Sequence, residues 1–212
     1  MKITKLGHCC LFLDIQGVKL LTDPGSFTTA QNEMTGLDAV LITHEHQDHY
    51  HVESVKVLAK NNPQAVFIAN GTVAKLLKKE GIPCTVVGDG QSAEVKGIII
   101  EGFGKDHALV YPPDVGLVEN TGYFVADKFY FPGDNFFNPN KKVDVLALPV
   151  AGPWMKTADA VDFAKVIKAR TAFGVHDAMI QPFFRGFVGN LLTKFVPETK
   201  YVSLQDGETR EF

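Results

Sequence analysis

The segment Thr43-His44-Glu45-His46-Gln47-Asp48-His49-Tyr50 gathers three histidines and an aspartate into six positions, directly after the apolar run Ala39-Val40-Leu41-Ile42. Imidazole nitrogen and carboxylate oxygen are the donors taken by Zn²⁺ and its first-row neighbours, so the chemistry on offer is metal binding. A loop leaving a buried strand holds such donors on a rigid support. Side chains two apart share a face of an extended segment, so His44 and His46 can point the same way. Asp48 and His49 come after the chain has begun to turn and point elsewhere. One loop can therefore feed two neighbouring ions. The cluster is internal and contains an aspartate, which separates it from a terminal purification tag.

The spacing His44-x-His46-x-Asp48-His49 resembles the H-x-H-x-D-H signature of the metallo-β-lactamase-fold hydrolases. Further histidine donors are limited to His8, His51, His107 and His176. His107, in Gly104-Lys105-Asp106-His107-Ala108, follows the strand-like run Ile98 to Glu101. Loops at strand ends gather ligands from distant sequence, which makes His107 a third ligand beside His44 and His46. Gly133-Asp134 resembles the family's G-D motif, whose aspartate bridges both ions; a carboxylate suits that role because each oxygen can hold a cation. His176 ends a short apolar run and matches the family's last histidine. The resemblance implies one site of His44, His46 and His107, a second of Asp48, His49 and His176, and Asp134 between them.

Gly7-His8 and Leu21-Thr22-Asp23-Pro24 are similar to motifs of a cytosolic branch that includes the L-ascorbate-6-phosphate lactonase-like proteins. So is Leu148-Pro149-Val150-Ala151-Gly152-Pro153, followed by a helix and His176. Val175 and Asp177 flank His176 here, where that branch often carries proline and tyrosine. On this reading Asp23 is an outer acceptor that fixes the histidine loop. His8 lines the pocket, gives a proton, or packs as a hydrogen-bonded histidine. Cys9 reads as core filler and His51 as a surface residue.

The expected cofactors are two divalent metal ions, Zn first, with Mn or Fe as alternatives. Bound Zn²⁺ brings the pKa of water to about 7. The implied reaction is attack of a metal-bridged hydroxide, oriented by Asp48, on a carbonyl or phosphoryl ester-type bond. The rival readings are an iron-dependent oxidoreductase on the same scaffold and a nuclease or phosphodiesterase. Candidate pocket walls are Tyr111-Pro112-Pro113-Asp114, Phe136-Phe137-Asn138 and Pro153-Trp154-Met155-Lys156, since aromatic and methionine side chains commonly line small-molecule sites. Lys156 and Arg185 read as solvated, with capture of a phosphate or carboxylate as the other option.

The elements that must position these residues are mixed. Strands are expected at Thr4 to Leu6, Cys10 to Ile15 and Val18 to Thr22, with Gln16-Gly17 as a tight turn. A helix over Val52 to Ala59 and another capped by Thr72 alternate with the apolar strands Ala39 to Thr43 and Ala65 to Ala69. Strands resume from Thr85 to Glu101, then a hairpin joins Gly122 to Ala126 with Phe129 to Phe131 around Asp127-Lys128. Val143 to Val150 and Thr171 to Val175 are further strands. Helices follow at Thr157 to Arg170, with Ala160, Phe163, Ala164 and Ile167 inward, and at Phe187 to Phe195. Tyr201 to Leu204 and Thr209 to Phe212 are expected to close as a last hairpin around Asp206-Gly207. Composition and pattern give an α/β (α+β) class, and the resemblance implies a four-layer αββα sandwich of two mixed sheets with helices outside.

The 212 residues suit one well-buried core, so a single domain over 1–212 is expected. A net charge of −3 gives no drive toward nucleic acid or anionic membranes. The opening Met1 to Leu6 alternates like a half-buried strand, no signal-peptide core follows it, and no apolar run reaches membrane-spanning length. Three cysteines, Cys9, Cys10 and Cys84, are an odd number with two adjacent, which argues against a disulfide framework. The expectation is a cytoplasmic protein acting on a small molecule, with no nucleic-acid or membrane partner and with homo-oligomerisation left open.

Overall fold

Alternate residues of the central strands feed different apolar layers, and this sets the architecture. The structure is a computed structural model describing residues 1–113 and 117–212. The first half contains β1 (Lys2–Gly7), β2 (Cys10–Ile15), β3 (Val18–Thr22), β4 (Ala39–Ile42), α1 (Val52–Asn61), β5 (Val66–Ala69), α2 (Gly71–Lys79) and β6 (Cys84–Val86). The second half contains β7 (Ser92–Val95), β8 (Ile98–Phe103), β9 (Gly122–Val125), β10 (Phe129–Phe131), β11 (Val145–Pro149), α3 (Thr157–Ile167), β12 (Thr171–Val175), α4 (Pro182–Phe195), β13 (Lys200–Val202) and β14 (Thr209–Glu211). The strands form two seven-stranded sheets, ordered β14-β1-β2-β3-β4-β5-β6 and β13-β12-β11-β10-β9-β8-β7.

Each sheet is mixed: β3 to β6 and β10 to β13 run parallel, while β1 to β3 and β7 to β10 are antiparallel. Parallel strands covered on both faces read as continuous apolar runs, which is why Ala39–Ile42 and Val145–Pro149 stand out in the sequence. In β4, Ala39 and Leu41 enter the core between the sheets, with Phe131, Ala147 and Phe173 from the opposite sheet. Val40 and Ile42 face the other way, against Val55 and Leu58 of α1 and Val73 and Leu77 of α2. In β11, Val145 and Ala147 face the inter-sheet core, and Leu146 and Leu148 meet Ala160, Phe163, Ala164 and Ile167 of α3. The result is helices, sheet, sheet, helices, the αββα arrangement.

Four details differ from the sequence expectation. The cap of α2 is Asn70, whose side chain accepts from the Val73 amide, and not Thr72; asparagine's short carbonyl fits that position. Helix α4 begins at Pro182, where proline's missing N–H costs nothing in the first turn. The turn joining β9 to β10 bends at Ala126 and Asp127, with φ of 55° and 52°, one residue before the expected pair. The last two strands do not form a hairpin. β13 pairs in parallel with β12, while β14 crosses to the other sheet and pairs with β1. Each covers an otherwise open edge, and an unpaired row of backbone donors and acceptors is a stronger demand than local proximity. The candidate wall residue Asp114 lies outside the described residues. Among the described residues no helix is long and apolar enough to cross a membrane.

Leu41 is fully buried at the centre of this packing and leads into the histidine loop. Leu41→Ala is expected to destabilise the fold by about 2–5 kcal/mol, read as a lowered urea midpoint with an unchanged slope.

Candidate metal centre

Five strand ends open on one space. His8 follows β1, the loop from His44 to His49 follows β4, His107 follows β8, Asp134 follows β10 and His176 follows β12. Two glycines make the close approach physically possible. A Cβ on Gly25 would lie 1.7 Å from the Asp48 carbonyl oxygen, so the Asp23-Pro24-Gly25 turn packs directly on the histidine loop. Gly133 has φ of 66°, and a Cβ there would meet Asn120 Oδ1 at 2.4 Å, so only glycine can lead into Asp134. Asn120 Oδ1 then accepts from the Asp134 amide at 3.0 Å.

Asp23 is fully buried beneath the loop. Its Oδ1 accepts from the Thr43 amide at 2.8 Å, and its Oδ2 accepts from Thr43 Oγ1 and His49 Nδ1, both at 2.7 Å. The Thr43 hydroxyl gives its proton to Asp23, so it accepts from His44 Nδ1 at 2.9 Å. His107 Nδ1 donates to the Ala108 carbonyl. In each of these three histidines the Nδ1 edge is engaged, and Nε2 faces the cluster. Outer hydrogen bonds of this kind fix a ligating histidine's tautomer and ring plane. His46 presents its other edge, with Nδ1 3.2 Å from His44 Nε2.

All seven residues singled out from the sequence meet here. Donor atoms of His44, His46 and His107 lie within 4.8 Å of one another, and so do those of Asp48, His49, His176 and His8. Asp134 spans the two groups, its Oδ1 3.2 Å from His49 Nε2 and its Oδ2 2.9 Å from His176 Nε2 and 3.3 Å from His107 Nε2. Yet His49 Nε2, His107 Nε2, Asp134 Oδ1 and both ring nitrogens of His176 are buried without a hydrogen-bond partner among the described residues. The Nε2 atoms of His49, His107 and His176 gather around Asp134, while His176 Nδ1 lies on the opposite edge of its ring. Leaving one such group unsatisfied costs about 1–3 kcal/mol, and a cation is the partner that suits several imidazole and carboxylate donors together. The residues present fit divalent metal ions.

His8 Nδ1 accepts from the Ala178 amide at 3.4 Å, which places the proton on Nε2, 3.1 Å from Asp48 Oδ2. His8 is thus a donor to Asp48, packed edge-on against Phe27 with ring centres 4.8 Å apart. His51 caps α1, its Nδ1 3.0 Å from Ser54 Oγ, away from the cluster. Cys9 is buried in the inter-sheet core, with its sulfur within 4.8 Å of donor atoms of His49 and Asp134. Arg185 is not free to hold a substrate anion: its Nη2 donates to the Asp177 carbonyl at 3.1 Å. Trp154, read from sequence only as a pocket wall, donates from Nε1 to Asp134 Oδ2 at 2.9 Å and sets its ring edge-on to His107 and His176. Thr43 and Asn120 were not visible as site residues, because threonine and asparagine near turns are common and only the fold places them here.

The electrostatics divide the histidines. Burial, reinforced by His49, pushes the His44 pKa well below its ordinary value, and burial with His107 nearby lowers that of His46. Both are neutral and available as ligands. Burial also lowers His8 to about 4, against the pull of Asp48. For His176, burial is outweighed by Asp134 and Asp48, and its pKa rises to about 9. His49 rises as well, because Asp134 and Asp23 overcome the effect of burial. Asp134 stays ionised despite burial, held low by His49 and His176.

Residues 2–176 match the family described as the beta-lactamase superfamily domain. The chain belongs to that superfamily, with the metallo-β-lactamase fold of its hydrolases. It is 36% identical over 199 residues to Protein Rv0786c of Mycobacterium tuberculosis, covering 92% of each chain. It is 27% identical over 189 residues to UPF0173 metal-dependent hydrolase Ta0764 of Thermoplasma acidophilum, covering 83% of each. Among solved structures it superposes on Igni18, a metallo hydrolase of Ignicoccus hospitalis, with a TM-score of 0.77 at 20% identity, over 100% of this chain and 98% of that one. CmlA, a diiron β-hydroxylase of Streptomyces venezuelae, shares the fold with a TM-score of 0.76 at 14% identity, over 100% of this chain and 54% of that one.

Three outcomes are expected. His176, with its pKa raised to about 9, must lose a proton to ligate, so Zn²⁺ binding to chelator-stripped protein at pH 7 releases protons; titration calorimetry in buffers of different ionisation enthalpy measures them. In metal-free protein the raised pKa stabilises the fold fully below about pH 6.5, the unfolded value, and that share disappears as pH rises through about 9. Trp154→Phe removes a hydrogen bond to an ionised carboxylate, so metal-free protein is expected to lose about 1.5–3 kcal/mol in urea unfolding.

Proposed function

We propose that this metal-dependent hydrolase of the metallo-β-lactamase superfamily cleaves an ester-type bond, carbonyl or phosphoryl, in a small cytosolic molecule, with a pair of divalent ions, Zn before Mn or Fe. The observation that carries this reading is the convergence of buried, unpartnered imidazole and carboxylate atoms on one space. His44, His46 and His107 would hold one ion and Asp48, His49 and His176 another, with Asp134 shared. Ions bound there would supply a hydroxide nucleophile at neutral pH and polarise the bond under attack.

The chain's own residues do the rest. Asp23 and Thr43 lock the histidine rings in ligating orientation. His8 donates to Asp48 Oδ2 and holds that carboxylate in place. The buried Trp154 covers one flank of Asp134 and excludes water from it.

Support for a substrate with an apolar portion comes from the loops that carry the site. Exposed Phe27, Leu109, Tyr111, Phe137, Met179 and Phe183 all lie in segments that follow site residues. Desolvating such side chains favours an apolar group, and Arg185, one candidate anion holder, is already paired with Asp177. Three free thiols and a net charge of −3 support a reducing compartment and argue against a nucleic-acid substrate.

Elemental analysis followed by a screen of lactones, thioesters and phosphodiesters, with and without chelator, tests the proposal. Turnover is expected to require metal and to fall at least ~10³-fold in His46→Ala and Asp134→Ala, in line with loss of a metal-generated nucleophile. Full turnover in metal-free protein refutes it. Iron content with visible absorption and no hydrolysis would move the assignment to the oxidoreductase reading, since the same donors suit iron.

A further inference from the structure

Alternation along β1 sends Ile3, Lys5 and Gly7 inward, so Lys5 occupies a position beside the apolar core between the sheets. Its side chain is fully buried. Lysine is almost never buried in this way unless it is paired, and an apolar residue at such a position generally serves stability as well or better. The ammonium group therefore calls for an explanation beyond packing.

Its contacts supply one. Lys5 Nζ donates to the Gly174 carbonyl at 3.1 Å and to Asp177 Oδ2 at 2.6 Å. These acceptors stand on either side of His176, whose own backbone is left-handed, with φ of 57°. That conformation is strained for a residue with a Cβ and persists only where the surroundings impose it. The same strand end adds two more ties. The His176 amide donates to the His8 carbonyl at 3.3 Å, and the Ala178 amide donates to His8 Nδ1 at 3.4 Å. Arg185 grips Asp177 from the outer side, with Nε 3.2 Å from Oδ2, and the exposed Asp206 lies 3.7 Å from Lys5 Nζ. Residues from one sheet thus clamp the turn that carries a donor atom from the other.

We infer that Lys5 is a positioning residue that holds His176 in its metal-ligating conformation by bonding the backbone before it and the carboxylate after it. The inference rests on the reading of His176 as a metal ligand. Lys5 touches neither substrate nor ion; it acts through the turn.

A double-mutant cycle on the full chain tests it. Zn²⁺ affinity of chelator-stripped protein is measured by titration for wild type, Lys5→Met, His176→Ala and the double variant. Lys5→Met is expected to bind Zn²⁺ at least tenfold more weakly, and His176→Ala to bind more weakly as well. The double variant is expected to be no weaker than His176→Ala alone, which a merely structural lysine would not produce. Wild-type affinity in Lys5→Met beside a weakened His176→Ala overturns the inference, and so does a further loss in the double variant. Wild-type affinity in His176→Ala overturns the proposed metal site itself, a separate result. Should Lys5→Met not fold, Asp177→Asn, which keeps an acceptor and loses the charge, takes its place with the same expected pattern.

Discussion

Beneath the histidine loop one buried carboxylate accepts three hydrogen bonds, and the rest of the centre takes its shape from them. Asp23 binds the Thr43 amide, the Thr43 hydroxyl and the His49 ring. The first bond fixes where β4 ends and the loop begins. The second obliges Thr43 to accept from His44, and the third aligns His49, so the orientations of two rings follow from one acceptor. A fully buried carboxylate is costly unless its oxygens are satisfied. The turn carrying Asp23 presses so closely on Asp48 that Gly25 has no room for a side chain. Loop, turn and strand are therefore a single mechanical unit.

On that unit the charges are arranged so that burial and pairing pull in opposite directions. Asp48 and Asp134 remain ionised although burial opposes it: hydrogen bonds from His176 and His8 hold Asp48 low, and the charges of His49 and His176 hold Asp134 low. Protons on His49 and His176 neutralise the site in the metal-free protein. Burial, complete for His44 and partial for His46, together with neighbouring histidines lowers both pKa values and favours their neutral forms. A divalent cation can take over the role of those protons, and this gives the coupling between pH and metal binding a structural origin. Trp154 contributes a fixed donor to Asp134 that does not depend on pH.

The sandwich makes this convergence possible because both sheets deliver strand ends to the same edge. β1 and β4 belong to one sheet, β8, β10 and β12 to the other. The aliphatic and aromatic layer between the sheets sets their separation, and the polar contacts at its rim join them, among them the Asn70 amide on the Thr43 and Glu119 carbonyls and Lys5 on the turn after β12. A change in packing between the sheets would be felt as a change in distance between ligand atoms, since close-packed interiors transmit strain.

The local features were legible in the sequence. The continuous apolar runs marked the doubly covered strands, Ala160, Phe163, Ala164 and Ile167 marked the inner face of α3, and the H-x-H-x-D-H spacing marked the loop, because each depends on residues within a few positions of one another. His107, Asp134 and His176 could be nominated by their strand-end settings and by resemblance, but only the fold brings their donor atoms together. Lys5, Trp154, Thr43 and Asn120 take their roles from partners far along the chain: an alternating strand shows that Lys5 faces inward only once the register with the opposite sheet is known. The pairing of the final two strands is hidden from the sequence for the same reason. Nearness in sequence favoured pairing them with each other, whereas the open edges of two separate sheets, visible only in three dimensions, offered each a complete ladder of hydrogen bonds.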